Sequence, residues 1–159
     1  MALVKNVNSY ATVEEANTYF ADRIDVAAWT NAVPDQRAQA LVTATGLLDA
    51  LDWIGYAVSD SQSLAFPRFG VYFDPRLGKE VILSETTVPD RVLKAVYELS
   101  YHLLNNDGLL DDTGSVKDLS VGSIKLTLVK SANKLPVVVR NLVKPLRVNG
   151  GLNLWWRAN

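Results

Sequence analysis

The sequence predicts a mainly α domain: a small helical bundle with a long aromatic loop, a short β-hairpin element and an extended C-terminal arm. Three observations point there. Apolar residues recur at three- and four-residue spacing in separate stretches of the first 104 residues. Between them, residues 56–87 break that period with Pro67, Gly70, Pro75 and Gly78. Strict alternation of apolar and polar residues appears at Ile124, Leu126 and Leu128, with Lys125 and Thr127 between.

Residues 12–23 read as the first helix. Thr12 and Glu15 form a T-x-x-E capping box, and Val13, Ala16 and Phe20 then recur at helical spacing. Glu14 and Glu15 put negative charge in the first turn, where the helix dipole favours it. Residues 25–31 add a further turn with Trp29 as a core anchor, and Pro34-Asp35 is a second start signal. From 34 to about 52, Ala38, Leu41, Thr45, Leu48 and Leu51 or Asp52 lie on one stripe, widened by Val42 and Ala44, with Gly55 as the stop.

Residues 56–87 hold Phe66, Phe69, Tyr72 and Phe73 among their turn residues. They read as a long ordered loop or a short hairpin, and as a contact surface, because loops of this length inside a compact domain are usually either functional or wrongly assigned. Pro89 opens the next helix, where Val92, Val96, Leu99 and Leu103 form the stripe and Asn105-Asn106-Asp107-Gly108 is the stop. The β element lies near 116–130, with Leu119 and Val121 pairing across Gly122-Ser123. Residues 137–143 follow Pro136 and read as a short helix in preference to a strand, ended by Pro145. Gly150-Gly151 then frees Leu152, Leu154, Trp155 and Trp156. The expected organisation is one domain over 1–147 and a docking arm over 148–159.

The chain has 159 residues, 48% of them apolar, enough for one core. The absence of cysteine excludes a disulfide framework, thiolate metal sites and a cysteine nucleophile. No stretch approaches 18 uninterrupted apolar residues and the start lacks a signal-peptide run, so neither membrane insertion nor export is expected, and synthesis in the cytosol is. Charge is divided by position. Up to residue 116 there are 8 Lys+Arg against 16 Asp+Glu, net −8, and over 117–159 there are 8 against 1, net +7. Such a basic segment is expected to meet something negative, and the acidic body of a second copy is the nearest candidate.

Catalysis has little to stand on. His102 is the only histidine and belongs to no motif, so it reads as a structural or surface residue. Glu14-Glu15 and Asp111-Asp112 fit a helix first turn and a solvated turn, and no glycine falls in a G-x-x-x-x-G-K or G-x-G-x-x-G pattern. No catalytic, cofactor-binding or metal residue is assigned, and a non-enzymatic role is expected. Trp155 and Trp156 are either a local core plug or an interface anchor, and the glycine pair before them favours the anchor, a role in which Trp and Arg are enriched. The partner-binding candidates are Trp155, Trp156, Arg157, Leu154, Arg147 and Lys144, with Phe66 and Arg68 as a second contact or a loop anchor. Lys125, Lys130, Lys134, Arg140, Lys144, Arg147 and Arg157 with the two tryptophans would also suit a phosphate backbone and its bases. Against that reading, the acidic body repels a polyanion and the cations are dispersed.

Ser9-Tyr10-Ala11-Thr12-Val13-Glu14-Glu15-Ala16-Asn17-Thr18-Tyr19-Phe20-Ala21-Asp22-Arg23 resembles the opening of tailed-bacteriophage head-tail connector (adaptor) proteins, often labelled DnaT-like single-stranded DNA-binding proteins. Later features follow in the same order: Trp29, the helix with Ala40-Leu41 and Ala44-Thr45, Gln62-Ser63-Leu64-Ala65-Phe66-Pro67-Arg68, and Val88-Pro89 opening a helix with Ala95 and Glu98-Leu99. The resemblance covers roughly 9–104. It implies a mainly helical structural protein of the virion, placed at the head-tail interface and forming a ring, typically of twelve subunits. Its implied partners are the portal protein and tail proteins, with genomic DNA only passing through the channel, and the arm 148–159 would grip the portal. An acidic body and a basic segment supply the unlike faces that a ring contact needs. The alternative is a single-stranded DNA-binding replication accessory.

Overall fold

A computed structural model describes residues 2–105, 119–121, 124–126 and 135–148. The described elements are α1 Val13–Ala21, α2 Ala27–Thr30, α3 Pro34–Asp49, the strands β1 Tyr56–Ala57, β2 Arg68–Phe69, β3 Val71–Asp74 and β4 Lys79–Ile82, then α4 Asp90–Leu104, β5 Leu119–Val121, β6 Ile124–Leu126, α5 Val137–Val143 and a 3-10 turn at Lys144–Leu146. The fold is mainly α with short hairpins, as the sequence predicts.

α4 is the central element, packed on α3 and on α5, with α2 against it and α1 against α3. Its stripe of Val92, Val96 and Leu99 is buried, and from Ala95 to Tyr101 every position is buried, so here the helix is covered on all sides. This puts the carboxylate of Glu98 inside. It is satisfied by an ion pair with Arg23 and by the Tyr19 hydroxyl at 2.6 Å, both from the α1 region. Burial, and then the Glu98 carboxylate, push the Tyr19 phenol upward.

The capping box forms as read. Glu15 N–H donates to Thr12 Oγ1 at 3.2 Å and Thr12 N–H to Glu15 Oε2 at 2.8 Å. Trp29 is 2% exposed, lies 4.8 Å from the Phe20 ring and donates its indole N–H to Asn17 Oδ1 at 2.9 Å. Leu41 and Leu48 are fully buried on α3, each contributing about 1.5–3 kcal/mol of apolar burial.

One expectation needs correction. α3 ends at Asp49, well before Gly55, and its buried face is Ala40, Leu41, Ala44, Thr45 and Leu48, while Ala38 and Leu51 are only partly covered and Asp52 is exposed. Gly55 does not stop the helix. It has φ +69°, and a Cβ there would lie 1.8 Å from the Phe69 carbonyl oxygen, so it allows β1 to approach β2. Residues 56–87 take the hairpin form of the two that were open, with two antiparallel ladders: Tyr56 lies opposite Phe69 in one, and Val71 opposite Ile82 and Asp74 opposite Lys79 in the other. α5 stops at Val143, just before Pro145, as read. Pro145 sits inside the 3-10 turn that follows, after which Val148 N–H donates to Asp52 O at 3.0 Å and Arg147 bridges to Trp53. β5 and β6 pair as predicted, with Leu119 opposite Leu126 and Val121 opposite Ile124. The arm 149–159 lies outside the described residues.

Candidate functional site

The structure divides the sequence-predicted contact residues. Leu154, Trp155, Trp156 and Arg157, with Lys130 and Lys134, lie outside the described residues. Phe66 is 4% exposed, with Trp53 edge-on at 4.9 Å and Tyr10 at 6.1 Å, and it is a loop anchor rather than a contact. Arg68 has the same role. Its guanidinium donates to the carbonyls of Ile54 at 2.9 Å, Gly55 at 2.7 Å, Ala65 at 3.2 Å and Trp53 at 3.4 Å, which leaves its fork committed to the backbone. Lys144 is exposed, as is Arg140 on α5, whereas Arg147 is partly buried with its Nε unpartnered among the described residues.

The exposed functional groups gather on the β3–β4 ribbon instead. Val71 to Asp74 alternate by strand periodicity, and Gly78 at φ +65° closes the turn that brings back Lys79 to Ile82. Asp74 stitches the turn: its carbonyl accepts Leu77 N–H at 3.1 Å and Gly78 N–H at 2.8 Å, and its carboxylate accepts Arg76 N–H at 2.8 Å. The same carboxylate accepts Arg91 Nη2 at 3.1 Å and the Tyr72 hydroxyl at 3.2 Å. Burial alone would raise its pKa, but these donors hold it below the ordinary carboxylate value. One face of the ribbon thus lines a cleft of about 580 Å³ together with Arg76, Arg91, Lys94 and Leu142 of α5.

Within that cleft Arg91 pairs with buried Asp74, and Lys94 pairs with Asp90 at 2.7 Å in an exposed i,i+4 bridge. An exposed bridge of this kind contributes at most a few tenths of a kcal/mol, about 0.3–0.5, so Lys94 is easily drawn to another anion. Among the described residues Arg76 and Lys79, at the ribbon tip, have no ion-pair partner. The 3-10 turn that carries Lys144 packs against β3.

Arg76, Lys79, Arg91 and Lys94 escaped the sequence reading because they lie in a stretch of net charge −8. The signal was local: Arg76 and Lys79 flank the turn glycine of an alternating segment. Among the described residues no group of three or more His, Cys, Asp or Glu is placed to hold a metal ion, and no helix is long and apolar enough to cross a membrane.

A family model described as "Putative DnaT-like ssDNA binding protein" matches residues 2–157. No curated protein and no solved structure matches the chain. The family description names single-stranded DNA binding, which is the alternative reading of the sequence, and it overturns the main one. A head-tail connector, its portal and tail partners, a ring of this chain, a part in DNA packaging and DNA as a mere passenger have no support from the match. With the match running over nearly its whole length, the chain belongs to the DnaT-like single-stranded-DNA-binding protein family.

Proposed function

We propose that the protein binds single-stranded DNA through its C-terminal basic segment and the cationic edge that the ribbon tip and α4 present. The family match over residues 2–157 carries this reading. Two physical features support it. Residues 117–159 carry net charge +7 and include Trp155 and Trp156, a combination suited to phosphates and bases. Arg76, Arg91 and Lys94 line one cleft, where Arg76 has no described ion pair and Lys94 is held only by an exposed bridge to Asp90. The net −8 of the first 116 residues then acts as a restriction, turning a polyanion away from the rest of the surface.

The test is fluorescence anisotropy with a labelled oligo-dT across a salt series, with duplex DNA as the comparison. Three to five phosphate contacts would give a log–log salt slope of about −2 to −3.5, a loss of roughly twenty- to hundredfold between 50 and 200 mM salt. Trp155→Ala with Trp156→Ala weakens binding further, by loss of stacking. Absence of binding at low salt rules the reading out.

A further inference from the structure

The cleft between the ribbon and α4 joins charge to an apolar wall. Its three cations, Arg76, Arg91 and Lys94, stand against two carboxylates, Asp74 and Asp90. Arg91 is committed to Asp74 at 3.1 Å, and Lys94 reaches Asp90 at 2.7 Å across an exposed bridge. That leaves Arg76 as the surplus charge, and among the described residues it has no ion-pair partner. Its backbone N–H donates to Asp74 at 2.8 Å, so the turn fixes where this exposed side chain starts. Beside it the wall is formed by half-buried Tyr72, Val81 and Leu142. The Tyr72 hydroxyl donates to Asp74 at 3.2 Å, which ties the ring to the carboxylate of the cleft.

We propose that the cleft seats one unstacked nucleotide of a single DNA strand, its base against Tyr72 and Leu142 and its phosphate on Arg76 and Lys94. The proposal rests on the reading above and gives it a source of strand selectivity. Charge and shape choose the occupant. One surplus cation next to an apolar wall with an aromatic ring suits a single anion joined to a flat apolar group, and a nucleotide unit is that combination. The same surplus disfavours a metal cation, and a purely apolar ligand gains nothing from Arg76. The exposed Lys94–Asp90 bridge is weak, so Lys94 can turn to the phosphate. The volume of about 580 Å³ lies within the roughly 300–1,000 Å³ of clefts that take small ligands. In a duplex the base is paired and stacked between its neighbours, so it reaches such a cleft only by flipping out, at the cost of that pairing and stacking.

The test is crosslinking of the full chain to oligo-dT carrying a single 5-iodouracil, mapped by mass spectrometry, beside affinities measured across a salt series. The expected crosslink lies on Tyr72. Tyr72→Leu should lose it together with about five- to hundredfold in affinity, whereas Tyr72→Phe, which keeps the ring, should retain affinity. Arg76→Ala and Lys94→Ala should each make the log–log salt slope shallower by about 0.7. Both cations lie outside the core, and thermal unfolding of every variant checks the fold, so these two decide the matter if Tyr72→Leu fails to fold. Crosslinks confined to residues outside the cleft, with wild-type binding intact, overturn the proposal and leave the DNA-binding reading standing. Unchanged affinity and slope in both Arg76→Ala and Lys94→Ala do the same. Duplex DNA binding as tightly as the single strand overturns it as well. Failure of the wild-type chain to bind at low salt removes both readings.

Discussion

Arg68 separates a contact role from an anchoring role most directly. Its guanidinium bonds the carbonyls of Trp53, Ile54, Gly55 and Ala65, so Arg68→Ala removes donors from four acceptors around the junction of the α3 exit and β2. Hydrogen bonds to a charged donor are worth about 1.5–3 kcal/mol each when buried, but the Gly55 bond is exposed and the Trp53 bond is long at 3.4 Å. Counting mainly the two remaining bonds, and discounting for partial exposure, the loss is about 2–4 kcal/mol. In urea denaturation this lowers the midpoint by about 1–2 M, at an m-value of about 2 kcal/mol/M. Arg68→Lys should recover less than half, because an ammonium group cannot span the fork. If Arg68→Ala leaves the midpoint unchanged while reducing DNA affinity, the anchoring account is refuted and the contact role returns.

Gly55→Ala places a Cβ 1.8 Å from the Phe69 carbonyl oxygen at positive φ, and should cost more than about 3 kcal/mol in urea denaturation, with splaying of β1 from β2. Gly78→Ala shares the positive φ but meets nothing within 4 Å, and should cost only about 1 kcal/mol. In acid, Asp74 and Glu15 should lose stabilising contacts. Burial would raise both carboxyls, but Asp74 is held down by Arg76 N–H and Arg91, and Glu15 by Lys5 and Thr12 N–H. Both titrate below the ordinary values of 3.8 and 4.5, so their stabilisation is complete above about pH 5 and is lost as pH falls through about 4 and below, a dependence that Asp74→Asn reduces in pH-resolved denaturation. At the other extreme the Tyr97 phenol is pushed up to about 12 by burial, then by Glu15 and Asp90, so stability present below pH 10 should decline between pH 10 and 12, followed by phenolate absorbance at 295 nm.

Much of the helical frame was legible because its signals are local. Thr12 and Glu15 close their capping box within four residues, and Val92, Val96 and Leu99 share a face whatever surrounds them. Helix ends were less legible. Nothing adjacent to Asp49 says that α3 stops there, and the conspicuous Gly55 answers to Phe69, a residue 14 positions away. The 56–87 stretch was read as a contact surface with Phe66 and Arg68 as its candidates, yet Phe66 is buried and the Arg68 fork is committed to the backbone, while Phe73 is 57% exposed. Phe66 and Arg68 turned inward because Trp53, Tyr10 and the carbonyls after α3 were waiting for a ring and a fork.

Read alone, the sequence determined the mainly α class, the start of each main helix, the β5–β6 pairing and the opposition of an acidic body to a basic C-terminal segment, since propensity, capping and charge act over a few residues or simply add. Tertiary structure decided which aromatic rings are core and which are surface, which cations are paired, and that the 3-10 turn lies on β3. Burial and ion pairing depend on partners distant in the chain, and only their packing around α4 settles who those partners are.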